Sequence, residues 1–283
     1  MPRIALPNKG RLQDDVKTLL DDAGLPIRGR SERSLTASLG GEFEAIFVRA
    51  QDIPEFVADG AADLGITGAD LIAESGRVLT ELVDLQFGKC RLVVAVKEDS
   101  GVTSLSQLTG RPRVASVFPR LTRAYFEAQK LSVSVVPVSG AAEIAPHLGI
   151  ADIVVDLTST GSTLKVNGLK EIATVMDSSA RLIARDEVAS QPWAQELTLA
   201  LSSVLRARSQ RYLMANVPKD RLDEVRERLP GLNGPTLSEV LGGGRFVAMH
   251  AVVPAASIYK TVAALKACGC EGILVTRIER LMP

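Results

Sequence analysis

The sequence predicts an α/β protein with two lobes, followed by a small C-terminal α+β domain. Up to residue 185, short apolar runs alternate with amphipathic stretches, a pattern typical of βαβ units and a mostly parallel sheet. The alternation restarts at Lys89, which indicates a second lobe. After Arg211 the order becomes strand, helix, strand, helix, strand, which is typical of a ferredoxin-like unit. At 283 residues the chain also exceeds what one hydrophobic core usually holds.

The first lobe is predicted to comprise residues 1–88 together with a return segment at 176–205. A strand at 3–6 is followed by apolar residues at helical spacing from Leu12 to Ala23, where the next residue, a glycine, ends the helix. The remaining elements predicted for this lobe are strands at 44–49 and 63–67 and helices at 53–58 and 69–74.

The second lobe is predicted from residues 89–175. Residues 171–185 are interpreted as chain returning to the first lobe, and 192–211 as a long helix. Because two lobes joined by crossovers leave a cleft between them, and open α/β sheets bind ligands in such clefts, a ligand site is expected there. The strands predicted for the second lobe are 91–96, 113–116, 133–138 and 152–157.

The C-terminal domain is predicted from residues 206–283, with strands at 212–217, 246–253 and 272–278. The glycine run at 242–244 lacks GxGxxG spacing and opens no helix, so it is predicted to be a turn and not a nucleotide-binding loop. The other turns of this domain are predicted at Pro218, Pro230-Gly231 and Pro254.

Charge and composition argue against several classes of protein. The 33 basic and 33 acidic residues cancel, so no nucleic-acid partner is expected. No segment has the roughly 20 apolar residues of a membrane span, and the N-terminus lacks a secretory apolar run, so a cytoplasmic protein without a membrane partner is expected. Cys90, Cys268 and Cys270 form no CxxC pair and are predicted to be reduced thiols, without a protein metal site.

The segment from Ile153 to Leu164 is predicted to carry the chemistry. A buried type of strand leads into a hydroxyl-rich turn, which is followed by a helix start. Backbone N–H groups at a helix N-terminus suit phosphate oxygens, and Gly161 lets the backbone approach closely. Asp156, at the strand end, can accept hydrogen bonds from ribose hydroxyls. The alternative is an ordinary Ser or Thr N-cap, and the preceding acid favours the phosphate site. The turn residues are Thr158, Ser159, Thr160, Gly161, Ser162 and Thr163.

Several separated motifs together resemble the ATP phosphoribosyltransferase family, which catalyses the first step of histidine biosynthesis. The first four motifs are Leu6-Pro7-Asn8-Lys9-Gly10-Arg11, Arg49-x2-Asp52-Ile53-Pro54, Asp63-Leu64-Gly65-Ile66-Thr67-Gly68-x-Asp70 and Glu143-x5-Gly149-x-Ala151-x2-Val154-x-Asp156-Leu157-x2-Thr160-Gly161-x-Thr163-Leu164. The similarity continues through Tyr212-Leu213-Met214, Pro230-Gly231-Leu232-x2-Pro235-Thr236 and Gly272-Ile273-Leu274-Val275. That tail is typical of the long form, which carries its own regulatory domain.

The resemblance implies a two-lobed, periplasmic-binding-protein-like catalytic region and an ACT-like regulatory domain. It implies that N1 of ATP displaces pyrophosphate from phosphoribosyl pyrophosphate, giving phosphoribosyl-ATP, with Mg²⁺ bound to the substrate phosphates. A transition state that resembles a ribosyl oxocarbenium ion beside a departing polyanion requires cations and an anchored 5′-phosphate more than covalent machinery. The resemblance also implies a homo-oligomer, from dimer to hexamer, and feedback inhibition by histidine.

The resemblance also assigns roles to the residues of the second lobe and to one acid of the first. The hydroxyl-rich turn would hold the 5′-phosphate, while Asp156 and Glu143 meet the ribose hydroxyls. Asp70 would contact the purine or its ribose. For Glu143 and Asp70 the alternative is an acid placed in the first turn of a helix, which the helix dipole favours.

Three cations of the first lobe are assigned to the phosphates by the same resemblance. Lys9, Arg11 and Arg49 would face the pyrophosphate or the ATP phosphates. Their alternative is a solvated surface charge, but all three lie in turns or at strand ends, where functional residues concentrate.

In the C-terminal domain the resemblance implies a histidine site between small domains of neighbouring subunits. A plain core role explains Leu232 and Val252 equally well, and family members can carry an acid where this chain has Asn216. The residues of this predicted site are Asn216, Leu232, Thr236, Val252 and Gly272.

Two other functions compete with this one. Two lobes around a cleft also describe periplasmic solute-binding proteins and the effector domains of regulators, although the chain shows neither an export signal nor a basic helix-turn-helix segment. Purine or pyrimidine salvage phosphoribosyltransferases share the strand, the acid and the Thr-Gly-x-Thr loop. They usually carry two adjacent acids where this chain has Asp156-Leu157.

Overall fold

Three sheets organise the part of the chain that the computed structural model describes, which is residues 1–29, 34–229, 231–232, 234–242 and 244–282. The chain divides into two units, Met1–Thr198 and Leu199–Pro283. The strands of the first unit are β1 (Arg3–Pro7), β2 (Ile27–Arg28), β3 (Thr36–Leu39), β4 (Phe43–Val48), β5 (Leu64–Gly68), β6 (Thr80–Asp84), β7 (Cys90–Lys97), β8 (Arg113–Ser116), β9 (Ser134–Pro137), β10 (Ile153–Thr158), β11 (Leu169–Ser178) and β12 (Ala180–Ala184).

The helices of this unit pack on the two sheets, and the last of them, α7, continues into the second unit. Short 3-10 turns complete the connections, among them Ala50–Asp52 and Ala142–Ile144. The helices are α1 (Gln13–Asp22), α2 (Ile53–Ala58), α3 (Ala69–Ser75), α4 (Pro119–Ala128), α5 (Ser162–Val166), α6 (Asp186–Ala189) and α7 (Pro192–Arg208).

The first lobe is a sheet in the order β2-β3-β4-β1-β5-β12-β6, and the second lobe is a sheet in the order β11-β7-β10-β8-β9. The predicted two-lobed α/β region is therefore confirmed. Each lobe has its own apolar interior, with Leu6 and Ile66 fully buried in the first and Phe126 and Ile153 in the second. Such alternating strands and helices bury both faces of a sheet.

The expectation of mostly parallel sheets is wrong. The ladders β4-β1-β5 and β10-β8-β9 are parallel, whereas β2 and β3 form antiparallel pairs with their neighbours. The crossover strands are antiparallel too, since β11 pairs with β7 and β12 with β5 in opposite directions, and the single residue Ser179 joins β11 to β12 in the other sheet. Residues 171–185, interpreted as chain returning to the first lobe, thus belong partly to the second sheet.

The second unit holds a four-stranded antiparallel sheet in the order β14-β15-β13-β16. With two helices between the strands, this is the ferredoxin-like arrangement, and that prediction is confirmed. Strand β14 was not predicted, because its four residues are all exposed and show no apolar alternation. The elements are β13 (Gln210–Pro218), α8 (Leu222–Arg228), β14 (Thr236–Glu239), β15 (Phe246–Pro254), α9 (Ile258–Ala267) and β16 (Glu271–Arg277).

The core of this unit lies between one face of the sheet and the helices α8 and α9. Leu213, Val217 and Met249 from the sheet pack with Val225 and Leu265 from the helices. The predicted turn residue Pro230 and the middle glycine of the run at 242–244 lie outside the described residues. None of the helices in the described part of the chain has the length and apolar content that a membrane span requires.

Candidate active site

The loop from residue 158 to residue 163 connects the end of β10 to the short helix α5. Gly161 has a φ of +79° at the N-cap of α5, a left-handed conformation that glycine adopts without strain. Its N–H donates to Oγ1 of Thr158 at 2.7 Å, and Oγ1 of Thr160 lies 2.8 Å from Oγ of Ser162. A Cβ on Gly161 would meet nothing within 4 Å, so the space above the loop is open.

The hydroxyl groups of this loop divide by burial. Thr158 is buried, and its side chain closes the turn from within. The other four hydroxyl side chains are exposed, namely those of Ser159, Thr160, Ser162 and Thr163. The loop therefore presents several hydroxyl groups to solvent beside the N-terminus of a helix, as a bound phosphate requires.

Asp156 lies two residues before this loop, half-buried in the wall of a cavity of about 570 Å³. Burial raises the pKa of Asp156; the N–H of Leu157, which donates to its Oδ1 at 2.7 Å, acts in the opposite direction. The charge of Glu143 is close enough to raise that pKa further. The structure thus brings the two predicted ribose carboxylates together, although they come from β10 and from the 3-10 turn Ala142–Ile144.

Lys9 and Arg49 line a neighbouring cavity of about 510 Å³ on the first lobe, and both are exposed. They follow the carboxyl ends of β1 and β4, two adjacent parallel strands, where open α/β sheets bind ligands. This cavity and the one lined by Asp156 share Gln51 and Leu71 in their walls. Two of the three predicted cations, Lys9 and Arg49, and the predicted carboxylate Asp156 therefore face adjoining parts of one cleft.

Asp70 is placed differently from these residues, since only 1% of its surface is exposed. Oγ of Ser178 donates to its Oδ1 at 2.5 Å and accepts its backbone N–H at 3.1 Å. The guanidinium of Arg11 lies 4.0 Å from the same carboxylate oxygen and 2.9 Å from Sγ of Cys90. These contacts join the two sheets where the chain crosses between the lobes. Burial raises the pKa of the Cys90 thiol.

Residues that the sequence reasoning missed lie beside the loop. Arg91 stands directly opposite Thr158 in the antiparallel pair of β7 and β10, and its guanidinium pairs with both carboxylate oxygens of Glu171. Ser159, Arg91 and Lys89 line a third cavity, of about 400 Å³. The only signal in the sequence was a pair of basic residues at the start of a strand. Without the strand register, that pair could not be placed beside the loop.

The predicted histidine-site residues lie in the second unit. Asn216, Thr236 and Val252 share the face of the sheet opposite its core, because each alternates with a buried residue or pairs with a residue on that face. A Cβ on Gly272 would lie 3.1 Å from Nδ2 of Asn216, so these two residues are adjacent. Leu232 lies in the loop before β14 with 55% of its surface exposed.

Candidate metal ligands do not cluster in the described ranges of the chain. No group of three or more His, Cys, Asp or Glu side chains is arranged there to hold an ion. The three cysteines are free and buried.

Comparison with known proteins identifies the family. The family model described as ATP phosphoribosyltransferase matches residues 49–206, and the one described as HisG, C-terminal domain, matches residues 207–280. An ATP phosphoribosyltransferase of Gemmatimonas aurantiaca is 63% identical over the full length of both chains. One from Natronomonas pharaonis is 49% identical over 99% of this chain and 100% of its own.

A solved structure agrees with these sequence matches. The chain from the ATP phosphoribosyl transferase (HisG:HisZ) complex of Thermotoga maritima superposes with a TM-score of 0.64 at 27% identity, covering 73% of this chain and 99% of its own. The resemblance drawn from the motifs is thereby confirmed. The chain belongs to the ATP phosphoribosyltransferase family, pentosyltransferases that catalyse the first step of histidine biosynthesis, and it is the long form with a C-terminal domain.

Proposed function

We propose that the cleft between the two lobes binds phosphoribosyl pyrophosphate and ATP side by side, so that N1 of ATP attacks the anomeric carbon. The observation that carries this proposal is the pair of adjoining cavities that share Gln51 and Leu71. One is lined by Asp156 from the second lobe, and the other by Lys9 and Arg49 from the first. A ribose and a polyphosphate therefore each meet the side chains that suit them.

The loop at residues 158–163 binds the 5′-phosphate in this proposal. Its exposed hydroxyl groups and the N-terminus of α5 supply donors, and the open space above Gly161 accommodates the phosphate oxygens. Asp156 lies two residues before the loop, within reach of a ribose that is anchored at its 5′ end. Asp156 and Glu143 then accept hydrogen bonds from the ribose hydroxyls.

Catalysis in this site is mainly electrostatic. N1 of adenine already carries a lone pair, so no side chain needs to remove a proton before the displacement. Lys9 and Arg49 stabilise the negative charge of the departing pyrophosphate and of the ATP phosphates, and the carboxylates lie near the positive charge that develops on the ribose. Mg²⁺ enters as part of the substrates, bound to their phosphates.

In this proposal Asp70 acts on the substrate only through Arg11. The buried carboxylate of Asp70 lies 4.0 Å from the guanidinium of Arg11, which is exposed enough to reach a bound phosphate. Asp70 orients Arg11 while Arg11 contributes a third cation to the substrate phosphates. A contact between Asp70 and the purine would require its bonds to Ser178 to break.

The C-terminal unit binds histidine and regulates the reaction. Asn216, Thr236 and Val252 lie on the sheet face that α8 and α9 leave open, with Gly272 against Asn216, and Leu232 is exposed in a loop of the same unit. Feedback inhibition is typical of the family. We also propose that this chain assembles as dimers and hexamers. The proposed domains are the first lobe at 1–88 with 176–205, the second lobe at 89–175 and the regulatory domain at 206–283.

The test is a substrate panel with the purified full chain. Phosphoribosyl pyrophosphate and Mg²⁺ are incubated with ATP, adenine, guanine or orotate, and the products are separated and identified by mass. Formation of phosphoribosyl-ATP only in the ATP reaction is expected. Transfer to a free base with no transfer to ATP would assign the cleft to nucleotide salvage instead.

A further inference from the structure

Helix α4 of the second lobe begins without a cap from its own segment. Its N-cap residue is Phe118, which offers no side-chain acceptor, and Pro119 at the next position has no N–H to donate. The N–H groups of Arg120 and Leu121 are therefore the first donors of the helix that need a partner. An N-terminus that leaves such donors unpaired destabilises a helix, and it carries the positive end of the helix dipole.

The missing acceptor comes from the other lobe. Glu74, in the last turn of α3, accepts the N–H of Arg120 on Oε1 and the N–H of Leu121 on Oε2, each at 2.9 Å. One carboxylate thus caps two donors with both of its oxygens, the geometry in which charge-assisted hydrogen bonds are strongest. Since α3 belongs to the first lobe and α4 to the second, this contact exists only while the lobes are close together.

Glycine at position 76 leaves room for the guanidinium of Arg120 beside the end of α3. Gly76 ends α3 with a φ of +67°, and a Cβ there would lie between 2.2 and 2.6 Å from the guanidinium atoms of Arg120. The guanidinium therefore packs directly on the glycine backbone. The capping contact and this packing hold the same two helix ends together.

We propose that Glu74 is a positioning residue that holds the two lobes closed around the substrates. The inference rests on the proposed function of the cleft, because Asp156 lies on one lobe and Lys9 and Arg49 lie on the other. Glu74 lines the same cavity as Asp156, but its carboxylate is occupied by α4 and acts through the lobe arrangement. When only a fraction of the protein is closed, apparent substrate affinity falls by that fraction.

Two substitutions test this role in the full chain. Glu74→Gln removes the charge and replaces one acceptor oxygen with an NH₂ donor, which cannot pair with a backbone N–H. Glu74→Asp keeps both acceptors on a shorter side chain. Glu127→Gln is the matched control, because it makes the same charge change at an exposed position near the other end of α4.

The first measurement is steady-state kinetics with both substrates. Glu74→Gln is expected to raise KM for ATP and for phosphoribosyl pyrophosphate by about tenfold or more, the effect of losing one charge-assisted hydrogen bond. Saturating substrates still close the lobes, so kcat should change less than threefold. Glu74→Asp should fall between wild type and Glu74→Gln, and Glu127→Gln should match wild type. Unchanged or lowered KM values in Glu74→Gln would overturn the proposal.

The second measurement reports the lobes directly and needs no activity. Spin labels on cysteines introduced at Lys17, in the first lobe, and Gln129, in the second, give an interlobe distance distribution by electron paramagnetic resonance. In Glu74→Gln the distribution should shift to longer distances and return when both substrates are added. A distribution identical to that of wild type would overturn the role of Glu74 in holding the lobes closed, even if the enzyme is active. If wild type itself made no phosphoribosyl-ATP, that result would count only against the proposed function.

Discussion

Asp156 accepts a hydrogen bond from the N–H of Leu157, the next residue in the chain, at 2.7 Å. This bond favours the ionised carboxylate, but burial acts in the opposite direction and raises the pKa of Asp156, and the charge of Glu143 adds to that rise. An ionised Asp156 at neutral pH therefore destabilises the folded protein. The carboxylate that the proposed ribose site uses is therefore one that the fold itself does not need.

Asp156→Asn is expected to lower phosphoribosyl transfer at least a hundredfold and to raise the free energy of unfolding at pH 7. A carboxyl group whose pKa is raised by folding stabilises the folded protein at pH values below its unfolded pKa, here 3.8. That contribution is lost as the pH rises through the folded pKa. The stability advantage of the variant should therefore be present at pH 7 and shrink as pH falls. Urea unfolding at pH 7 and pH 4 measures it.

Asp152→Asn is the matched control, at the residue directly before the same strand. Hydrogen bonds from Arg113 lower the pKa of Asp152, so its ionised form stabilises the fold above the unfolded pKa and that contribution is lost as pH falls through the folded value. Asp152→Asn should be less stable than wild type at pH 7, the opposite sign from Asp156→Asn. Wild-type turnover in Asp156→Asn would remove Asp156 from the proposed ribose site. A loss of stability in both variants would instead contradict the opposite pKa shifts of the two carboxyl groups.

Lys9→Ala and Arg49→Ala are each expected to slow turnover by about two to three decades. Removing one charge that acts in the transition state raises the barrier by roughly 2 to 4 kcal/mol. Steady-state assays at saturating ATP and phosphoribosyl pyrophosphate measure this effect. Lys17→Ala, at an exposed position on α1, is the control and should leave turnover unchanged. A loss below threefold in the Lys9 and Arg49 variants would identify them as ordinary solvated charges.

Histidine is expected to inhibit the intact chain, and inhibition should not be simply competitive with ATP because the proposed sites for the two ligands lie in different units. Coupling between distinct sites is typically worth about 1 to 3 kcal/mol. Thr236→Ala and Leu232→Ala should weaken inhibition several-fold with little change in uninhibited turnover. Leu241→Ala, at a fully exposed leucine, is the control for Leu232→Ala. Calorimetry that detects no histidine binding at millimolar concentration would eliminate the regulatory proposal and leave the catalytic one intact.

Local sequence features predicted much of this molecule. The strand that ends at Thr158, the turn through Gly161 and the short helix α5 were predicted because each is specified by neighbouring residues. The first strand and helix were found for the same reason, since Gly24 and the helical spacing of apolar residues mark their limits. The order of strands and helices was also sufficient to predict the ferredoxin-like unit.

Features that depend on distant parts of the chain could not be predicted. The position of Arg91 opposite Thr158 requires the register of two strands that are far apart in sequence. The capping of α4 by Glu74 joins residues that are 46 and 47 positions apart in the sequence, and no local pattern predicts it. The burial of Asp70 against Ser178 likewise depends on β11 ending beside α3. Strand direction was missed for the same reason, since β11 pairs with β7 and β12 with β5, each far away in sequence.

The glycine of the loop offers the sharpest variant for the central claim. Gly161→Val forces a branched residue to a φ of +79° and places its side chain in the open space that the 5′-phosphate would occupy. Gly101→Val is the matched control, since Gly101 has a φ of +73°, a Cβ added there would also meet nothing within 4 Å, and it lies in the second lobe far along the chain from the loop. Because both substitutions strain the backbone equally, a difference in binding between the two variants cannot come from a difference in stability.

Titration calorimetry of phosphoribosyl pyrophosphate with Mg²⁺ into the full chain therefore tests most directly whether residues 158–163 bind the 5′-phosphate. We expect wild type and Gly101→Val to bind with similar affinity, and Gly161→Val to bind at least about a hundredfold more weakly while unfolding at a temperature close to that of Gly101→Val. Binding by Gly161→Val with wild-type affinity would contradict the account, because the loop would then not contact the phosphate.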